Sequence, residues 1–119
     1  MKLRLTIPIA ALIAIASLVS YAQGNKTELR TVRGTVVDKE EAPVDGAIVY
    51  LKNAHSQDIV THLSGGDGTF RFSGLDLNVD YEIHAEKEGM SSSMRSISNF
   101  DTRKEFVLTL KLDHKKNGK

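Results

Sequence analysis

Along most of the chain, apolar side chains recur at every second position in short runs, and polar turn formers separate those runs. A period of two belongs to a β-strand with one face on a core and the other in water. Residues 31–38 place Val32, Gly34 and Val36 on one face, and 46–52 do the same with Ala47, Val49 and Leu51. A weaker run covers 59–64, and 69–73 sets Phe70 and Phe72 two apart. The clearest alternation spans 79–87, where Tyr81, Ile83 and Ala85 interleave with Glu82, His84 and Glu86. A polar strand over 91–98 and a last one over 105–112, with Phe106, Leu108, Leu110 and Leu112 inward, complete the set.

The breaks between runs have their own chemistry. Pro43 in the stretch 39–45 lacks a ladder donor and suits a turn. Gly65-Gly66-Asp67-Gly68 supplies residues that accept positive φ in a tight hairpin. Seven short strands with turn signals between them, and no long segment of period 3.6 after the leader, predict an all-β, two-sheet sandwich.

The first residues read differently. Lys2 and Arg4 precede an apolar run, 5–19, interrupted only by Thr6 and Ser17, and Ser20-Tyr21-Ala22 puts small residues at the positions a signal peptidase reads. About twenty apolar residues are needed to cross a bilayer, and this run is shorter, so 1–22 is expected to be a removable signal peptide. Pro8 early in the run suits that reading. The expected organisation is then a linker over 23–30, a domain over 31–112 and a disordered basic tail over 113–119. The expected location is secreted or periplasmic.

Composition narrows the chemistry. The chain has 119 residues, a single-domain length, and no cysteine, which removes disulfides, thiolate catalysis and the cysteine-built lipid anchor. Without Lys2 and Arg4 it carries 14 basic residues against its 15 acidic ones. No basic face of the kind that displaces counterions from phosphates is expected, and hence no nucleic-acid partner.

Gly34-Thr35-Val36-Val37-Asp38, Pro43-Val44-Asp45-Gly46-Ala47-Ile48-Val49, Gly68-Thr69-Phe70, Leu75 and Tyr81 occur in that order. Together they resemble the carboxypeptidase regulatory-like domain, over residues 32–112. The resemblance implies a seven-strand, transthyretin-like Greek-key sandwich, found beside carboxypeptidases, on outer-membrane receptors and alone in small exported proteins. Each landmark has a folding reason: Gly46 starts a strand, Ala47 is small where sheets crowd, and the Tyr81 hydroxyl is free to bond a nearby loop. No attached enzyme or barrel is expected beside this domain. One departure is Gly65, where relatives often carry Asp or Asn; Asp67 is the neighbour able to substitute in part. Transthyretin-like hydroxyisourate hydrolases end in Tyr-Arg-Gly-Ser, whereas this chain ends Lys116-Asn117-Gly118-Lys119.

Candidate chemistry is sparse. His84 between Glu82 and Glu86 places three possible metal ligands, or an acid–base pair, on one strand face, but same-face residues lie almost 7 Å apart. Asp67 with Asp45 and Asp80 has the residue types of a calcium loop without the EF-hand spacing. His55, His62 and His114 show no ligand spacing and are expected to be exposed, and Ser91–Ser93 reads as a polar edge. No Gly-x-Ser-x-Gly elbow and no Lys-Asn-acid arrangement for an isopeptide bond is present. Ile48, Tyr50 and Val107 are apolar or aromatic at outward positions, and with Glu82 and His84 they form the candidate interaction face.

The expected function is therefore a non-catalytic accessory module that needs no cofactor and contacts an envelope protein or a glycan. The alternative is an unrecognised enzyme or metal-binding protein built on His84, Glu82 and Glu86. Mass spectrometry of the exported protein is expected to find Gln23 at its N-terminus; an intact Met1 would contradict the leader.

Overall fold

A computed structural model describes residues 28–116. The expected leader, the linker up to residue 27 and the last three residues of the tail lie outside the described residues.

Nine strands and no helix make up the described chain. Three form one sheet: β1 (Leu29–Val37) is central, with β4 (Thr69–Asp76) antiparallel on one side and β8 (Glu105–Lys111) parallel on the other. The second sheet runs β3 (Ile59–Leu63), β2 (Ile48–Asn53), β5 (Tyr81–Lys87), β6 (Met90–Ser91), β9 (His114–Lys115), with β7 (Arg95–Ile97) also on β5. Parallel neighbours need a crossover, and the chain between β1 and β8 supplies it by running from β2 to β7, all but β4 in the second sheet. The result is the expected Greek-key β-sandwich.

The inward positions read from the alternation pack face to face. Val32, Val36, Phe70, Phe72, Leu108 and Leu110 come from one sheet, and Val49, Leu51, Tyr81, Ile83, Ala85 and Ile97 from the other; all are buried in one cluster. Gly34 lies on the same inner face because a Cβ there would enter the Leu108 carbonyl and crowd the Phe70 ring. Gly68 has φ +81°, and a Cβ would stand 2.7 Å from the Val36 oxygen. Asp67 Oδ1 accepts bonds from the Thr69 amide and hydroxyl, which settles that turn. The Tyr81 hydroxyl accepts the Asp76 amide at 3.0 Å, so it bonds the last residue of β4, where the strand gives way to the turn before β5.

Three features differ from the sequence reading. The expected strand 91–98 is broken into β6 and β7, because its register on β5 shifts by one residue between Ser91 and Arg95. Buried Ser92 lies at that bulge, its hydroxyl accepting the Ala85 amide at 2.9 Å, so it is not part of a polar edge. Second, the tail is not disordered as far as Lys116: after Leu112 donates to the Val37 carbonyl, the chain changes sheets and pairs His114–Lys115 with Met90–Ser91.

Third, β1 starts at Leu29 and takes in Arg30, a residue of the expected linker. Arg30 shares the inner face with Val32 and is 1% exposed. Its guanidinium donates to the carbonyls of Arg103 (2.9 Å), Ser98 (3.3 Å) and Asp101. A charge this deep is tolerated because its donors find acceptors. Those carbonyls belong to the segment that carries the chain from β7 to β8, so one side chain ties the crossover to the strand beside it.

Phe70→Ala is expected to destabilise the fold by about 3 to 5 kcal/mol, read from urea unfolding. Arg30→Met, which keeps the apolar stem and orphans the carbonyls, is expected to cost about 1 to 3 kcal/mol and to speed hydrogen exchange across residues 98–104. Unchanged exchange there would show that Arg30 does not hold the crossover.

Candidate interaction face

Strand pairing sets the outer face of the larger sheet into rows. One row reads Leu63, Ile48, Glu86, Ser91, His114; the next Thr61, Tyr50, His84; the third Ile59, Lys52, Glu82, Ser96. Directly opposed residues of an antiparallel pair share a face, so four of the five sequence candidates, Ile48, Tyr50, Glu82 and His84, meet here. Val107 does not. Its strand pairs with β1, which puts Val107 beside Arg33 on the outer face of the other sheet. Alternation tells inside from outside; it does not tell which sheet.

Tyr50 and His84 stack across the strands, with ring centres 4.8 Å apart and planes 9° from parallel. Each ring thus covers one face of the other. Tyr50, Lys52, Ile59, Glu82, His84 and Met94 line a shallow cleft of about 160 Å³. Its walls are largely apolar: Ile59 is 57% and Met94 55% exposed, and Ile48 and Leu63 continue the apolar surface along the sheet. Met94 comes from the 92–94 bulge and carried no sequence signal, because the polar run around it hides a residue that the bulge swings over the face.

Charges rim this surface in pairs. Lys52 reaches Glu82 at 3.4 Å, His84 Nε2 lies 3.1 Å from Glu86, and Lys116 bonds Glu86 at 2.8 Å. The Lys116 hydrogen bond, aided by His84, holds the Glu86 carboxyl below its ordinary range, and the same bond raises the Lys116 ammonium. Glu86 thus bonds His84 and Lys116 while Glu82 turns to Lys52, so the two carboxylates do not converge on His84. Among the described residues no group of three or more His, Asp or Glu side chains is placed to hold a metal ion.

The remaining candidates are scattered. Asp80 accepts the Asn99 amide at the start of β5, while Lys87 at its far end reaches the Asp45 carbonyl, so the three aspartates of the supposed calcium loop do not meet. His55, His62 and His114 are exposed as expected. Ser64 stands just before Gly65 and is buried: its hydroxyl accepts the Ala47 amide at 2.9 Å and donates to the Val44 carbonyl at 2.6 Å. It pins the turn, and its role is structural. Larger clefts of about 480 and 500 Å³ lie at loop ends, the first lined by both lysines and acids, the second by His55, Asn78, Asp80 and Asn99. No helix among the described residues is long and apolar enough to cross a membrane.

Comparison with known proteins adds a family and a fold. The family model for the carboxypeptidase regulatory-like domain matches residues 31–113. A comparison with curated protein sequences finds no match. Among solved structures, the dioxygenase domain of a dioxygenase carbohydrate-binding protein fusion from Streptomyces sp. SirexAA-E superposes with a TM-score of 0.55 at 15% identity, over 77% of this chain and 84% of that one. Catechol 1,2-dioxygenase from Acinetobacter sp. ADP1 gives 0.56 at 11%, over 77% and 54%. The major pilin subunit BcpA of Bacillus cereus gives 0.53 at 17%, over 69% of this chain and 29% of the pilin. This chain therefore spans most of the first, about half of the second and under a third of the third. Identities this low speak for a shared sandwich alone.

Because the Glu86 carboxyl is held low, its ionised form stabilises the folded state above the ordinary glutamate value of 4.5, and that contribution is lost as pH falls from there through the lowered value. Glu86→Gln is expected to flatten the fall of melting temperature below pH 4.5 and to leave the neutral-pH slope unchanged. A variant whose acid limb parallels the parent's would show that Glu86 carries none of it.

Proposed function

The chain belongs to the carboxypeptidase regulatory-like domain family, and from that premise we propose that it is an exported, non-catalytic accessory module that binds another envelope protein through the outer face of its larger sheet. The observation that carries this reading is the contiguous apolar surface of Ile48, Tyr50, Ile59, Leu63 and Met94, rimmed by paired charges. An apolar centre with a polar rim is the anatomy of a protein–protein contact. A major pilin subunit, a protein that assembles with others, contains a similar sandwich over 29% of its chain.

Size and geometry weigh against the other readings. Small-molecule pockets run from about 300 to 1,000 Å³, and the cleft beside His84 is well below that. A catalytic pair needs a place for substrate within hydrogen-bond reach, and here Glu82 is engaged by Lys52 while Glu86, though it meets His84, is also held by Lys116. A sugar ring would stack on open aromatic faces, whereas Tyr50 and His84 each spend one face on the other.

A photo-crosslinking residue placed at Tyr50 in cells is expected to yield a discrete adduct with a second envelope protein. The same residue at Val107, on the opposite face, is expected to yield none. Equal labelling from both positions, or none from Tyr50, contradicts the proposed face.

A further inference from the structure

The two sides of the sandwich are finished differently. On one, the chain crosses from β8 to β9 and ties the sheets together. On the other, β3 and β4 are both terminal strands. Strand β4 carries features that discourage further pairing: a register irregularity on β1, Gly74 at φ +71°, and the charged Arg71. Strand β3, Ile59-Val60-Thr61-His62-Leu63, carries none: no proline, no glycine, no bulge, no lysine or acid, and every residue exposed.

The ladder fixes which backbone groups β3 leaves free. Asn53 donates to Asp58 and Ser64 donates to Ala47, both at 2.9 Å, so the bonds to β2 run through Asp58, Val60, His62 and Ser64. By antiparallel alternation, the N–H and C=O groups of Ile59, Thr61 and Leu63 point out of the sheet. Unpaired groups at spaced positions on an uncharged strand form a template for one more antiparallel strand.

We propose that the strand that docks there is β3 of a second copy of this chain, about a twofold axis through Thr61. In that register Ile59 pairs with the partner's Leu63 and Thr61 with the partner's Thr61, each pair exchanging both backbone bonds; Val60 falls opposite the partner's His62. The strand is self-complementary in this register: aliphatic meets aliphatic on the outer face, and no like charges meet. Ile59, Val60 and Leu63, more than half exposed in the single chain, gain neighbours. The row Ile48, Leu63 then continues into the partner's Ile59 without a break. A five-residue edge falls short of the roughly 800 Å² per partner of a standard interface, so the dimer is weak and concentration-dependent. It goes beyond the proposed face and does not rest on it, since Tyr50 and Met94 remain uncovered.

Sedimentation of the exported chain between about 10 µM and about 1 mM tests the pairing. The parent is expected to shift from monomer to dimer across that range, and Tyr50→Ala to shift with it. Thr61→Lys and Thr61→Glu, each placing like charges opposite one another on the axis, are expected to stay monomeric with unchanged circular dichroism and melting. An equimolar mixture of the two is expected to dimerise again. A parent that stays monomeric at the highest concentration overturns the proposal. So does a Thr61→Lys variant that dimerises like the parent, or a mixture that fails to recover, since either places the contact elsewhere.

Discussion

A buried guanidinium with carbonyls for partners holds this sandwich in register. Arg30 enters the core from the first strand and binds the segment that brings the last long strand back beside it. The partnership matters because β1 and β8 are neighbours in space and nearly a whole domain apart in sequence, so their pairing closes the longest loop between paired strands among the described residues. A lysine in that place would offer fewer donors and no planar fork. The charge has company at this end of the core: Arg103 lies 4.4 Å from the Phe106 ring centre and Arg30 6.0 Å, and Asp101 pairs with Arg103. The hydrogen bonds and the charge of Arg103, with Arg30 adding to them, hold the Asp101 carboxyl far below the usual range.

With no disulfide to restrain the unfolded chain, the remaining stability comes from the close fit of two apolar faces, and small hydroxyls finish what that fit leaves open. Ser64 and Ser92 stand at places where the ladder departs from regularity, and each accepts an amide that would otherwise be buried without a partner. Gly34 does the complementary work by leaving room, since the Phe70 ring and the Leu108 carbonyl close over it.

The fold was legible in the sequence because each long strand has one wet face. Tyr81, Ile83 and Ala85 alternate with Glu82, His84 and Glu86, and burial follows that alternation residue by residue. Legibility failed where the rule needed an exception. Arg30 continues the inward series Val32, Gly34, Val36, yet a charged residue at that position reads as the outside of the strand. Ser92 and Met94 are set by a bulge, and a bulge has no period. The candidate face was recovered for Ile48, Tyr50, Glu82 and His84, whose strands are neighbours. It was missed for Val107, because side-chain alternation says nothing of how strands are dealt between two sheets.

The parallel pairing of β1 with β8 also has a mechanical meaning. A pull on the domain from its two ends draws the start of β1 one way and the end of β8 the other. Because the strands run side by side in the same direction, that force slides one along the other and loads all the bonds from Thr31–Glu105 to Val37–Lys111 together. The short β9 would peel away first, one bond at a time, while the long pair behind it resists in shear. A sandwich built in this order is stiffest along the line that joins its two ends.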